Sequence, residues 1–371
     1  MLNTLYSPME IHARHNLLPL NWHACSCDYS EILQTLGWEL MSKLVPITIA
    51  CAEYDRTRAI RDGRVKVDGC EVTYLPLEPE ELFFRAFRYH DFDVAELSFN
   101  SYLMTASRNV CPYVAIPAFV SRHFRHSAIF VRTDRNIRGP ADLKGKLVGL
   151  PEYQQTANVW MRGIFKEEYG IEPQDIHWRT GGQEEPGRDE RTPLKLGGNI
   201  DLQPIAAGKT LNKMLVDGEL DAVFSARELS CFVHRAPNVG LMFPNYREVE
   251  MEYYKRSGMF PIMHLIGIRK TLVEQYPWLP ATVYKAFCQA KKIAIDAMKE
   301  MAAVKVTLPW PEVSVHDAIQ LMGEDFWRYG VAENARDIET LARYSFEQGL
   351  ATRQLSAKEI FHPSVFEISK V

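Results

Sequence analysis

The amino-acid sequence predicts an α/β protein in which two lobes are joined by two chain crossings. Short apolar strand segments alternate with helical segments from residue 45 to about residue 131, as in a sheet covered by helices. A second unit follows with the same alternation, and the strand-like segment 260–270 then returns to the first unit. With 371 residues and 46% hydrophobic content, the chain is long enough to give each lobe a core.

The first unit contains four strand candidates and two helix candidates. Apolar residues at three-to-four spacing predict helices over residues 80–90 and 101–109. The predicted strands are ITIAC (47–51), EVTYLPL (71–77), FDVAELS (92–98) and YVAIPAF (113–119).

The second unit repeats this alternation of strands and helices without repeating the sequence. Its predicted elements are the strand KLVGL (146–150), a helix ended by Gly170, the strand IHWRT (176–180), a helix over 210–220 and the strand DAVFSAR (221–227). A long helix and a helical tail follow residue 270. We therefore predict lobe 1 over 41–130 plus 262–371 and lobe 2 over 131–261, which is the plan of a type 2 periplasmic binding protein with a ligand cleft between its lobes.

The first forty residues have no sustained strand or helix period, and the pattern changes at Met41. We interpret 1–40 as an extension of doubtful status and Met41 as the expected initiator. The alternative is a metal site formed by His12, His15, His23, Cys25 and Cys27. Their spacing matches no standard zinc module, so no metal is expected.

Composition limits the partners and the compartment. The 43 basic and 47 acidic residues give a net charge of −4, too small to attract nucleic acid or an anionic membrane. Seven cysteines without a disulfide-framework spacing favour a reducing compartment. The sequence lacks both a membrane-spanning apolar stretch and a secretory signal pattern, so we predict a cytoplasmic protein. A homo-oligomer is compatible with this composition.

Polar and basic residues follow the predicted strands of both lobes, where ligands bind in open α/β sheets. A single arginine of this kind is more often a surface ion-pair residue, so the prediction depends on several converging on one cleft. Guanidinium groups can clamp a carboxylate with two parallel hydrogen bonds. The candidate ligand-binding residues are Arg56, Arg58, Ser98, Arg125, Tyr153, Gln154, Thr156, Arg179, Ser225 and Arg227.

Other conspicuous residues have structural interpretations. The charged run EEPGRDER (184–191) is predicted to be a solvated loop. Four tryptophans are predicted to pack in the core or the hinge, namely Trp160, Trp178, Trp278 and Trp310.

Six sequence blocks, taken in order, resemble the 4,5-dihydroxyphthalate decarboxylases, a family related to the substrate-binding proteins of ABC importers. The blocks are ACAEYDRTRAIRDGRV, FDVAELSFNSYL, FRHSAIFVRTD, GLPEYQQTANVWMRGI, IHWRTGG and FPIMH. The similarity runs from about residue 45 to residue 363. Gln155 and the pair Glu228 and Leu229 depart from the expected pattern, and the first forty residues have no counterpart.

The resemblance implies a carboxy-lyase of phthalate degradation that converts 4,5-dihydroxyphthalate to protocatechuate and carbon dioxide without an organic cofactor. His126 and His264 are the candidates for proton transfer, because histidine titrates near neutral pH and both lie at the predicted crossings. Glu152 and Asp55 are second choices. The arginines should hold mainly the retained carboxylate, since a clamp on the departing one would stabilise the ground state.

Two other functions compete with this one. A binding protein for an aromatic carboxylate, without chemistry, would have the same fold. A metal-dependent decarboxylase of a hydrolase-like fold would need clustered ligands, and the sequence has no HxH or HExxH spacing.

Overall fold

The structure is a computed structural model that describes residues 44–191, 193–194, 196–197 and 199–368. All of the described residues belong to the unit Leu44–Val371. The predicted extension over 1–40, the expected start at Met41 and the alternative metal ligands lie outside the described residues.

Two sheets organise this unit. The first has the strand order β2-β1-β3-β11-β4, in which β1 runs parallel to β2 and β3, and β11 runs antiparallel to β3 and β4. The second has the order β10-β5-β9-β6-β7-β8. The strands are β1 (Val45–Cys51), β2 (Cys70–Pro76), β3 (Val94–Ser98), β4 (Tyr113–Arg122), β5 (Ile129–Arg132), β6 (Leu147–Leu150), β7 (His177–Thr180), β8 (Leu202–Pro204), β9 (Ala222–Phe224), β10 (Val239–Leu241) and β11 (Ile262–Arg269).

Helices connect the strands and form the C-terminal region. They are α1 (Asp55–Arg61), α2 (Pro79–Tyr89), α3 (Phe99–Ser107), α4 (Thr156–Tyr169), α5 (Leu211–Val216), α6 (Ser230–Val233), α7 (Tyr246–Ser257), α8 (Lys270–Gln275), α9 (Leu279–Met298), α10 (Pro311–Met322), α11 (Ala335–Glu347), α12 (Ala357–Ile360) and α13 (Val365–Ile368).

The chain crosses between the sheets twice. After β4 it passes through a 3₁₀ turn at His126–Ala128 into β5 of the second sheet. After α7 it returns as β11, which lies between β3 and β4. The predicted fold class, an α/β protein with two lobes and two crossings, is confirmed by this arrangement.

The sequence prediction of individual elements was correct in type and less accurate in length. The helix predicted over 210–220 ends at Val216, and Gly218 follows with a φ of 75°, a left-handed conformation that breaks the helix. Trp160 and Trp178 are fully buried, as predicted. The same prediction was wrong for Trp278 and Trp310, which are 42% and 74% exposed.

The positions of the two exposed tryptophans explain that error. Each is the residue immediately before a helix, Trp278 before α9 and Trp310 before α10. The Trp278 ring covers the turn at Gly69, where an added Cβ would lie 3.1 Å from the ring. None of the residues of α10 is buried.

Helix α4 of the second lobe packs closely against α11 of the C-terminal region. Gly163 allows this approach, because a Cβ at that position would lie 2.1 Å from the ring of Tyr344. Trp160, one turn earlier, contacts the same ring edge-on at 5.6 Å and donates its indole N–H to the carbonyl of Ile262 at 2.9 Å. One hydrophobic cluster consequently includes residues from both sheets.

Within the described part of the chain, no helix combines the length and apolar character that crossing a membrane requires.

The close approach of α4 and α11 predicts a specific sensitivity to added volume. Gly163→Ala should lower the free energy of unfolding by about 1–3 kcal/mol, because the new methyl group overlaps the Tyr344 ring and outweighs the better helix propensity of alanine. Urea denaturation measures the change. Gly139→Ala is the control, since its Cβ meets nothing within 4 Å and its φ of −174° suits any residue. Equal stability of the two variants would contradict this packing.

Candidate active site

A fully buried carboxylate, Glu96 on β3, is the centre of a polar cluster at the end of the first sheet. Its Oε2 accepts hydrogen bonds from the backbone N–H of Ala52 at 2.9 Å and from the thiol of Cys51 at 3.3 Å. Its Oε1 accepts from the hydroxyl of Tyr54 at 2.8 Å and lies 2.6 Å from Nδ1 of His264. Four donors from two chain segments, residues 51–54 and β11, therefore converge on one carboxylate.

Strand pairing brings these segments together. β1 and β3 are parallel neighbours, so the residues that follow β1 lie beside the carboxyl end of β3. β11 runs antiparallel to β3 with His264 opposite Ser98. Side chains two apart on a strand share a face, which directs Glu96 and Ser98 to the same side of the sheet.

The donors keep Glu96 ionised despite its burial. Burial by itself raises the pKa of Glu96, but the hydrogen bond and charge of His264, with the donors Ala52 and Tyr54, lower it below its usual value of 4.5. Burial and the neighbouring carboxylate raise the pKa of Tyr54 and of Cys51 well above their usual values, so both keep their protons and act as donors.

The contact with Glu96 determines which nitrogen of the His264 imidazole can transfer a proton. A carboxylate only accepts hydrogen bonds, so Nδ1 of His264 carries the hydrogen and Nε2 is the nitrogen available for proton transfer. Nε2 has no hydrogen-bond partner among the described residues, and the side chain is 18% exposed. The ring of Phe83 contacts the imidazole edge-on at 4.7 Å and limits its rotation.

The first turns of α3 and α4 meet beside this pair and join the two lobes. The hydroxyls of Ser98 and Thr156 are 3.0 Å apart, and the backbone N–H of Asn100 donates to the Thr156 hydroxyl at 3.1 Å. The Asn100 amide donates to the backbone carbonyl of Gln154 at 2.7 Å. Three predicted ligand-binding residues are thus close together, along with Asn100, which the sequence did not single out.

The charged run 184–191 is a loop, as predicted, and residues 184–187 and 189 are exposed. The prediction did not include the contacts of its two arginines, which reach between the lobes. Arg188 donates from Nη1 to Glu80 of α2 at 2.9 Å and from Nε to Oε1 of Glu152 at 2.9 Å. Arg191 donates to the same Oε1 at 3.0 Å. The two arginines in a loop after a strand were the available signal for a ligand-binding role. The run has no strand or helix period, however, so the sequence does not show which way these side chains point.

Glu152 follows β6 and is 2% exposed, yet its Oε2 has no hydrogen-bond partner among the described residues. Glu190 lies nearby and accepts from the backbone N–H groups of Tyr153 and Gln154 and from the Gln154 side chain. Burial and the charge of Glu152 raise the pKa of Glu190. The second lobe thus contributes both arginines and carboxylates to this region.

Other predicted residues have structural partners. Arg56 is stacked between the rings of Tyr54 and Trp327, at 4.1 and 4.2 Å, and donates to the carbonyl of Val120 at 2.7 Å. Asp55, which is exposed, accepts from the Arg56 guanidinium at 3.1 Å. This stack borders the Glu96 cluster through Tyr54.

Tyr153 and Arg125 are both buried. The guanidinium of Arg162 lies 3.6 Å from the centre of the Tyr153 ring and donates to the Tyr153 carbonyl at 2.7 Å. Arg125 contacts the sulfur of Met263 at 3.3 Å, and burial lowers its pKa to about 10.

His126, the other predicted proton-transfer residue, is buried against the rings of Phe243 and Tyr253, with centroids 5.4 Å from its own. Neither ring nitrogen has a hydrogen-bond partner within the described residues. Burial and the charge of Arg256 lower the pKa of His126 to about 4, so the imidazole is neutral at pH 7.

The remaining predicted residues do not contact Glu96, His264 or Glu152. Arg58 is exposed on α1 and has no side-chain hydrogen bond or ion pair within the described chain. The others have their own partners: Arg179 with Asp201, Ser225 with Gln183, and the largely exposed Arg227 with Glu78 and Glu80. Across the residues that the structure describes, no group of three or more His, Cys, Asp or Glu is arranged to hold a metal ion.

Comparison with known proteins identifies the family. The model of the family "ABC transporter, phosphonate, periplasmic substrate-binding protein" matches residues 65–187. A 4,5-dihydroxyphthalate decarboxylase of Comamonas testosteroni is 46% identical over 331 residues, which is 89% of this chain and the full length of the relative. The chain belongs to the 4,5-dihydroxyphthalate decarboxylase family. This confirms the resemblance seen in the six sequence blocks.

Two further proteins are similar to this member of the 4,5-dihydroxyphthalate decarboxylase family. A second 4,5-dihydroxyphthalate decarboxylase, from Pseudomonas putida, is 43% identical over 58% of this chain and 83% of its own length. The periplasmic aliphatic sulphonate-binding protein SsuA of Escherichia coli has a TM-score of 0.48 and 12% identity, over 87% of this chain and 99% of that chain.

The lowered pKa of Glu96 predicts how stability changes with acid. The buried carboxylate stabilises the folded state above pH 4.5, and this contribution is lost as the pH falls through the lower folded-state pKa. Glu96→Gln should therefore be less stable than the parent at pH 7, with a difference that narrows below pH 4.5. Urea denaturation between pH 3 and pH 7 measures it. Glu71→Gln on exposed β2 surface is the control, and a Glu96→Gln difference that stays constant would contradict the assignment.

Proposed function

We propose that this protein removes one carboxylate from 4,5-dihydroxyphthalate and gives protocatechuate and carbon dioxide. The observation that carries the proposal is the 2.6 Å contact between Nδ1 of His264 and the buried carboxylate of Glu96, which leaves Nε2 available at an accessible position. The relatives named 4,5-dihydroxyphthalate decarboxylase supply the substrate.

The reaction needs one proton delivered to carbon. Each carboxylate of the substrate is para to a phenolic oxygen, which donates electron density to the ring carbon bearing that carboxylate. This carbon accepts a proton, and the carbon–carbon bond to the carboxylate then breaks. Its electrons restore the aromatic ring as carbon dioxide leaves, so one proton is consumed for each carbon dioxide released.

His264 is the proposed proton donor. In its protonated form the imidazolium is stabilised by Glu96 through Nδ1, and Nε2–H is directed away from that contact. After donation the imidazole regains a proton from solvent, to which the side chain has access. His126 is the weaker candidate, because an imidazole with a pKa of about 4 is in its neutral form at pH 7, and neutral imidazole is a very weak acid.

A second function has one observation in its favour. The family model that matches residues 65–187 describes a periplasmic substrate-binding protein, so binding of an aromatic carboxylate without turnover is the alternative. A cytoplasmic location is part of the proposed decarboxylase function. The free thiols of the described cysteines are compatible with that compartment.

The proposal predicts turnover of the dihydroxylated acid alone. Purified full-length protein, treated with chelator and incubated anaerobically with 4,5-dihydroxyphthalate, should release carbon dioxide and protocatechuate, both followed by chromatography. Phthalate is the matched control and should not react, because it lacks the phenolic oxygens. Tight binding of 4,5-dihydroxyphthalate without product would instead favour the receptor.

Substitution distinguishes between His264 and His126 as the proton donor. His264→Gln should lower kcat by about 10²–10⁴-fold, the usual contribution of a positioned general acid. His126→Gln and His234→Gln, the latter on an exposed position, should change kcat less than tenfold. A larger loss in His126→Gln than in His264→Gln would overturn the assignment.

Glu96 is proposed as a positioning residue that acts through His264. Glu96→Gln should lower kcat much more than it changes KM, since the carboxylate contacts the imidazole and has no exposure to a ligand. An unchanged kcat, or a KM that rises as much as kcat falls, would contradict a role of Glu96 through His264.

A further inference from the structure

Two arginines of the loop after β7 share one carboxylate in an incomplete way. Oε1 of Glu152 accepts from Arg188 and from Arg191, whereas Oε2 of the same group is buried and has no hydrogen-bond partner among the described residues. Arginine and carboxylate pairs that are optimised use both oxygens in two parallel bonds. The three side chains therefore form a contact in which much of the bonding capacity is unused.

Most of the guanidinium N–H donors of Arg191 have no hydrogen-bond partner within the described residues. Its only side-chain hydrogen bond within the described residues is from Nη2 to Glu152, and its side chain is 10% exposed. Its guanidinium lies 5.3 Å from the centre of the Phe83 ring, and that ring is 4.7 Å from the imidazole of His264. A single aromatic ring thus separates the arginine from the proposed proton donor.

We propose that Arg188 and Arg191 bind the substrate carboxylate that is retained, and that Glu152 is the internal carboxylate that occupies them when the site is empty. This inference rests on the proposed function for the identity of the substrate. Exchange of Glu152 for a ligand carboxylate leaves the local charge unchanged, so the arginines are never buried without a counter-charge. A ligand carboxylate that is not tethered to the chain can offer both of its oxygens to the two guanidinium groups, whereas Glu152 offers only Oε1.

The arrangement also gives specificity for the class of ligand. Arg188 bridges the lobes, from Glu80 of α2 to Glu152 after β6, so a ligand that engages it contacts groups held by both lobes. Because the ligand must displace Glu152 from both arginines, an acid with a carboxylate at this position has an advantage over a neutral ligand of the same shape. Glu152 thereby acts in ligand selection instead of in proton transfer, the role that the sequence suggested for it as a second choice.

The distinctive prediction concerns Glu152→Gln. Removing the competing charge while keeping the size of the side chain should tighten the binding of phthalate at least threefold, measured by isothermal titration calorimetry with the full chain. Phthalate is the probe because it has both carboxylates and lacks the phenols needed for reaction. Glu184→Gln, on the same loop and paired with Ser230, is the control and should leave phthalate affinity unchanged.

The arginine variants should act in the opposite direction. Arg188→Ala and Arg191→Ala should each weaken phthalate binding at least tenfold, and Arg191→Lys should weaken it by a smaller factor because the charge remains and the planar fork is lost. Arg135→Ala, a second-lobe arginine paired with Asp221, is the matched control. Circular dichroism and thermal unfolding identify any variant that has failed to fold, and Arg191→Lys keeps the test open in that case.

The outcomes separate this inference from the proposed function. Folded Glu152→Gln that binds phthalate more weakly than the parent, or folded arginine variants with unchanged affinity, would overturn the inference. Calorimetry does not depend on turnover. If the expected binding changes occur but no decarboxylation is found, this inference is upheld and the proposed function is overturned. If decarboxylation occurs without these binding changes, the proposed function is upheld and this inference is overturned.

Discussion

The buried carboxylate of Glu96 is the interaction on which the rest of the candidate site depends. A charge without exposure to water is tolerated only when it is paired and hydrogen-bonded. Tyr54, Cys51, the backbone of Ala52 and His264 meet that requirement together. Because they come from the segment after β1 and from β11, satisfying this one group fixes the relative position of three parts of the first sheet and orients the imidazole.

The two lobes contribute to the site in different ways. The first lobe supplies a rigid, fully bonded pair in which His264 is oriented by Glu96. The second supplies Arg188 and Arg191 on an irregular loop, held by the partly bonded Glu152. Rigid elements thus position the group that is proposed to react, whereas adaptable elements surround the part of a ligand that does not react.

Local patterns in the sequence were sufficient for the fold and for part of the site. Alternating apolar residues identified the strands, and Ser98 and Thr156 were predicted because they follow strands or begin helices. Glu96 was not among the predicted site residues, because the donors that define its role are brought to it by the pairing of β3 with β1 and β11. Arg191 was missed because the loop that carries it has no periodicity, and its direction is set by a contact with Glu152 distant in sequence.

The close contact of Gly163 with Tyr344 has a consequence for the way a ligand enters. Helix α4 belongs to the second lobe, yet it is packed on α11 without space between them, and its Trp160 is bonded to the start of β11. Turning the second lobe as a rigid body would pull this helix out of a common core. The packing therefore keeps α4 in place against α11, so any movement that admits a ligand has to occur in segments outside this contact.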